Sequence, residues 1–84
     1  MTLVSTKPAT TYRVIDARAT MCPGDLIEAL NGIQYIAIGE VLEIWCDDPG
    51  AKMRMITGCV NAGYRLIGFL PDDGYERLFI RRLK

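Results

Sequence analysis

The chain contains no histidine. That absence removes the Cys-His catalytic pair and the commonest metal ligand. Cysteine is scarce too: Cys22, Cys46 and Cys59 form no C-x-x-C and no close pair. A zinc or iron–sulfur centre is therefore not expected, the odd count argues against a disulfide framework, and a reducing, cytoplasmic compartment fits. No run approaches the ~18 consecutive apolar residues of a membrane helix, and residues 1–10 hold no signal-sequence core. They read as a flexible tail ahead of a single domain over 11–84. Net charge is missing as well, ten basic side chains against ten acidic, so no global attraction to nucleic acid or anionic lipid follows. No glycine-rich phosphate loop follows a strand, and Gly24 alone is too weak a signal for a nucleotide. No cofactor is expected. At 84 residues the core is small, which makes any site a surface site.

What the chain does have is Met21-Cys22-Pro23-Gly24-Asp25, where a β-like run gives way to a helix-like one. Proline is pre-shaped for the first helical position, where its missing amide is no loss. Cys22 then falls at or beside the N-cap. There, free backbone N–H groups and the positive end of the helix dipole favour thiolate over thiol. The competing reading is a buried, inert cysteine, since free cysteine is among the most buried residue types. Its place in a connection between Thr20 and Gly24, outside any periodic run, favours exposure.

In chain order, Tyr12 to Asp16 reads as a short strand. Leu26, Ile27, Leu30 and Ile33 mark one face of a helix, with Asp25 as its third residue, able to reach back to the cap amide. Gly39 punctuates the exit. Val41 to Cys46 is the clearest strand, sending Leu42, Ile44 and Cys46 to the core and Val41, Glu43 and Trp45 to the other face. Asp47-Asp48-Pro49 then supplies an acidic cap and a proline for a second helix running to about Ala62, with Gly63 ending it in the left-handed conformation. Met55, Ile56, Cys59 and Val60 share its stripe, and Gly58 points to close approach by a neighbour. Tyr64–Leu70 and Tyr75–Leu83 flank a Pro71-Asp72-Asp73-Gly74 turn and predict a hairpin.

The order β-α-β-α-β-β is met most economically by an α/β two-layer sandwich, a four-stranded mixed sheet with both helices on one face. Its other face is expected to be open and to carry Trp45, either packed under the N-terminal tail or as a partner anchor. Paired carboxylates at Asp47-Asp48 and Asp72-Asp73 are explained by capping and turn formation. A single activated thiol with no base beside it can still accept a sulfur atom, hold it as a persulfide and pass it on by thiol–persulfide exchange.

Asp16-Ala17-Arg18 leading to Cys22-Pro23, then Gly39-Glu40-Val41-Leu42, Asp47-Asp48-Pro49, Cys59 and Leu78-Phe79-Ile80-Arg81 resemble the TusA/SirA-type sulfur carriers, from about residue 12 to the C-terminus. The resemblance implies the same sandwich fold and a sulfurtransferase-type carrier activity with the persulfide on Cys22. It also implies supporting roles for Pro23 and Asp48, and for Arg18 as a nearby cation. Implied partners are a cysteine desulfurase or rhodanese as donor and a relay protein as acceptor, serving tRNA thiolation, molybdenum-cofactor assembly or sulfur oxidation. The chain departs from the family's Cys-Pro-x-Pro motif at Asp25, whose carboxylate opposes a second negative charge near the sulfur. Ala19 stands where a glycine is usual, and Arg54 where the second helix usually has an acid. These changes fall where partners would dock, and Arg54 joins Trp45 as a candidate partner contact. A non-catalytic partner-binding module on the same scaffold is the alternative. An RNA-binding role for Arg77, Arg81, Arg82 and Lys84 is disfavoured by their split between sheet faces.

Overall fold

The structure, a computed structural model, describes residues 4–5, 13–20 and 24–84. Its elements run β1 (Val4–Ser5), β2 (Arg13–Asp16), α1 (Gly24–Gly32) with a 3-10 turn over Ile33–Tyr35, β3 (Val41–Cys46), α2 (Ala51–Ala62), β4 (Arg65–Asp72) and β5 (Tyr75–Arg81). The four longer strands form the expected mixed sheet. The strand order is β1-β4-β5-β3-β2, with β2 parallel to β3 and the β4–β5 hairpin antiparallel to its neighbours. β1 adds at the edge, parallel to β4 at Gly68 and Phe69. A two-residue strand is too short to announce itself by alternation, which is why its stretch read as tail.

Both helices lie on one face. Leu42, Ile44, Cys46, Leu78 and Ile80 pack there against Ala29, Ile33, Met55 and Cys59. The helices approach closely at Gly58, where a Cβ would stand 2.6 and 2.7 Å from the two Leu26 methyls. Gly63 ends α2 at φ 88°, with its N–H on the Val60 carbonyl. The hairpin reverses through Asp73-Gly74, with Gly74 at φ 77°.

Three expectations need correction. Leu26 and Ile33 pack inward as expected, but Ile27 is 52% exposed, and Asp25, Ala29 and Gly32 complete the buried side of α1. Asp25 is buried there as one member of an ion pair with Arg54, and periodicity counts only apolar residues. Val60 is likewise exposed rather than part of the inner stripe of α2. The second sheet face is not open: Val41, Glu43 and Phe79 are buried on it. Glu43 can be buried because Arg77 Nε and Trp45 Nε1 both donate to its Oε2, each at 2.7 Å. A buried carboxylate that is paired and hydrogen-bonded keeps its charge at tolerable cost.

Candidate functional site

The connection from β2 to α1 carries the Cys22-Pro23 dipeptide. Those two residues, and with them the expected N-cap and first-helical assignments, lie outside the described residues. The stretch leading to them is held at three points. Ala17 N–H donates to the Trp45 carbonyl at 2.9 Å, Thr20 N–H to the Ala17 carbonyl at 3.3 Å, and Ala19 N–H to Asp47 Oδ2 at 2.8 Å. Ala19 sits at φ 62°, in the left-handed region a side chain disfavours. Asp47, read from sequence as a helix cap, thus fixes the loop before the cysteine. The signal for that role was an alanine standing where the resembling family has glycine.

Arg18 is committed within the same loop. Its guanidinium donates to both Asp16 carboxylate oxygens, at 2.9 and 2.7 Å, and lies over the Trp45 and Tyr75 rings at 5.0 and 4.8 Å. These bonds hold the Asp16 carboxyl down at about 2. Trp45 is accordingly half-buried and engaged within the fold through Glu43, Arg18 and the Tyr75 ring 5.5 Å away.

The expected bond from Asp25 back to the cap amide lies outside the described residues. Asp25 Oδ1 accepts the Leu26 N–H at 2.7 Å and Arg54 Nε at 3.0 Å, and its Oδ2 accepts Arg54 Nη2 at 2.5 Å. The same Nη2 reaches Asp48 Oδ2 at 2.7 Å, while Asp48 Oδ1 accepts the Gly50 N–H. These last two bonds, the backbone one foremost, hold the Asp48 carboxyl below its usual range. Asp48 therefore closes a turn ahead of α2, whose N-cap is Gly50 rather than an aspartate. Arg54, expected to face a partner, is turned inward and bridges the first turns of the two helices. The reason is the buried Asp25, which needs a cation.

The other two thiols are closed off. Cys46 and Cys59 are 2% and 1% exposed, and burial pushes them up to about 12 and about 11. Neither yields a thiolate near neutral pH, which disqualifies both as nucleophiles.

This is a two-layer α/β sandwich with a short cysteine-bearing connection at the carboxyl end of a parallel strand pair. The chain belongs to the sulfurtransferase TusA family, whose profile matches residues 13–82. It is 30% identical over 71 residues to a candidate sulfur carrier protein of Archaeoglobus fulgidus, covering 84% of this chain and 97% of that one. A second such protein, from Thermotoga maritima, is 29% identical over 55 residues, 66% of this chain and 70% of its own. A crystal structure of a SirA-like protein from Desulfitobacterium hafniense shares the fold, with a TM-score of 0.74 at 21% identity, over 87% of this chain and all of that one. No helix among the described residues is long and apolar enough to cross a membrane.

Proposed function

We propose that this protein is a cytoplasmic sulfur carrier that holds sulfur as a persulfide on Cys22 and passes it between a donor and an acceptor protein. The observation that carries the reading is the burial of Cys46 and Cys59, with their protons held to about 12 and 11, which leaves Cys22 for thiol chemistry. In the transfer, the Cys22 thiolate attacks the terminal sulfur of a donor persulfide. A new S–S bond forms on Cys22, the donor's S–S bond breaks, and the donor leaves as a thiolate, with no net oxidation. Delivery repeats the exchange with an acceptor thiol. With no histidine in the chain, the donor and acceptor supply the proton transfers. The family resemblance points to a cysteine desulfurase or rhodanese as the donor and a sulfur-relay protein as the acceptor.

The test loads the protein with cysteine and a cysteine desulfurase, then treats it with cyanide, which strips persulfide sulfur as thiocyanate. Stoichiometric thiocyanate from the natural sequence and none from Cys22→Ser supports the proposal. Equal release from both proteins overturns it.

A further inference from the structure

Among the described residues, Ala19 is the one non-glycine residue in the left-handed region, at φ 62°. Backbone strain of this kind collects where function uses it and persists only where the surroundings hold it. The holder is Asp47, whose Oδ2 accepts the Ala19 N–H at 2.8 Å from 28 residues away in sequence. Both residues are exposed, so water competes for this bond and its contribution to overall stability is modest. Its leverage is conformational. Before Ala19 the chain is tied to the sheet, with Ala17 N–H carrying the β2–β3 ladder on to the Trp45 carbonyl. After it, Thr20 N–H turns back to the Ala17 carbonyl. A Cβ at Gly24 would stand 2.5 Å from Thr20 Cγ2, so the two described residues that flank the Cys22 connection touch each other. Rotation of Ala19 out of the left-handed region swings Thr20 off Gly24 and opens the base of the connection.

We propose that Asp47 is a positioning residue for Cys22, holding Ala19 in its bend so that the base of the connection stays closed on the start of α1. The proposal rests on the reading of Cys22 as the sulfur acceptor. The rate of attack depends on thiolate content, and helix-terminal amides of the kind the sequence sets beside Cys22 favour the thiolate. A connection freed at Ala19 occupies the productive arrangement less, and the rate falls with it. The neighbouring carboxylate does not share this task, since Asp48 is taken up by the Gly50 N–H and Arg54. The negative charge of Asp47 works in the opposite direction from its bond, because a carboxylate disfavours a thiolate near it. Loss of the bond and loss of the charge are therefore separable.

The test compares the natural sequence with Asp47→Ala, with Asp47→Asn, and with Asp47→Ala combined with Ala19→Gly. All are assayed near neutral pH, below their melting temperatures and with circular dichroism verifying the fold. Two rates are read: alkylation of Cys22 by iodoacetamide, located by mass spectrometry, and sulfur uptake from glutathione persulfide. Asp47→Ala should slow both about tenfold. Asp47→Asn keeps an acceptor oxygen without the charge and should keep the natural rates. Glycine adopts positive φ without strain, so Ala19→Gly should recover a large part of the loss. The proposal is overturned if Asp47→Ala alkylates as fast as the natural sequence or faster, if Asp47→Asn is as slow as Asp47→Ala, or if Ala19→Gly recovers nothing. Alkylation that follows the expected series without any sulfur uptake upholds the hold of Asp47 on Cys22 and refutes the carrier reading, so the two fail separately.

Discussion

Asp25, 1% exposed at the first turn of α1, is held by Arg54 of α2 through bonds of 3.0 and 2.5 Å. These are the two positions at which the chain departs from its family's proline and acid, and the fold brings them together as a pair. The carboxylate expected to oppose a charge on Cys22 is thereby countered by a guanidinium. Replacing Arg54 with methionine strands a buried carboxylate, at a cost of about 3 kcal/mol in urea unfolding. Asp25→Asn in that background should recover a large part of the loss. In Arg54→Met the alkylation of Cys22 should also shift to higher pH, since Asp25 then acts unopposed within three residues of the sulfur.

The loop before Cys22 makes a second prediction. Ala19 holds φ 62° with its N–H on Asp47. Glycine relieves the left-handed strain, so Ala19→Gly should stabilise the protein by roughly 1 kcal/mol. Asp47→Ala should destabilise it by about as much, by leaving that N–H without its partner. Thermal melts of the two variants should move in opposite directions.

Gly58 tests the contact between the helices. Alanine is worth ~1 kcal/mol over glycine in an exposed helix interior. Here its Cβ meets the Leu26 methyls at 2.6 and 2.7 Å, and overpacking costs about 1–3 kcal/mol. The steric term should win, so Gly58→Ala is expected to lower the melting temperature, and Leu26→Ala in the same chain to relieve part of the clash.

The buried thiols set an alkaline limit. Burial raises Cys46 to about 12 and Cys59 to about 11 from an ordinary value of 9.0. Because the folded state binds these protons more tightly than the unfolded one, their contribution to stability is full below pH 9.0 and is lost as pH rises through 11 and 12. Urea midpoints should therefore fall across that window. Cys46→Ala combined with Cys59→Ala should flatten the decline.

The layer architecture was legible in the sequence because its signals are local. Val41–Cys46 alternates, Gly63 stops a helix, and Asp73-Gly74 turns a hairpin. The burial of Asp25 on the inner side of α1 and the closed second face were not legible. Both depend on charged pairs, Asp25 with Arg54 and Glu43 with Arg77, whose members lie 29 and 34 residues apart and which hydropathy patterning counts as surface. The same limit hid the role of Asp47. An Asp-Asp-Pro stretch reads as a cap, and only the fold shows that one carboxylate reaches back across 28 residues to Ala19.

The assignment of sulfur to Cys22 is tested most directly by intact-mass spectrometry of the native protein after exposure to glutathione persulfide. An increment of about 32 Da should appear in the natural sequence and persist in Cys46→Ala and in Cys59→Ala. It should be absent from Cys22→Ala. Retention of the increment by Cys22→Ala, or its loss on removal of either core cysteine from a folded protein, would contradict the account.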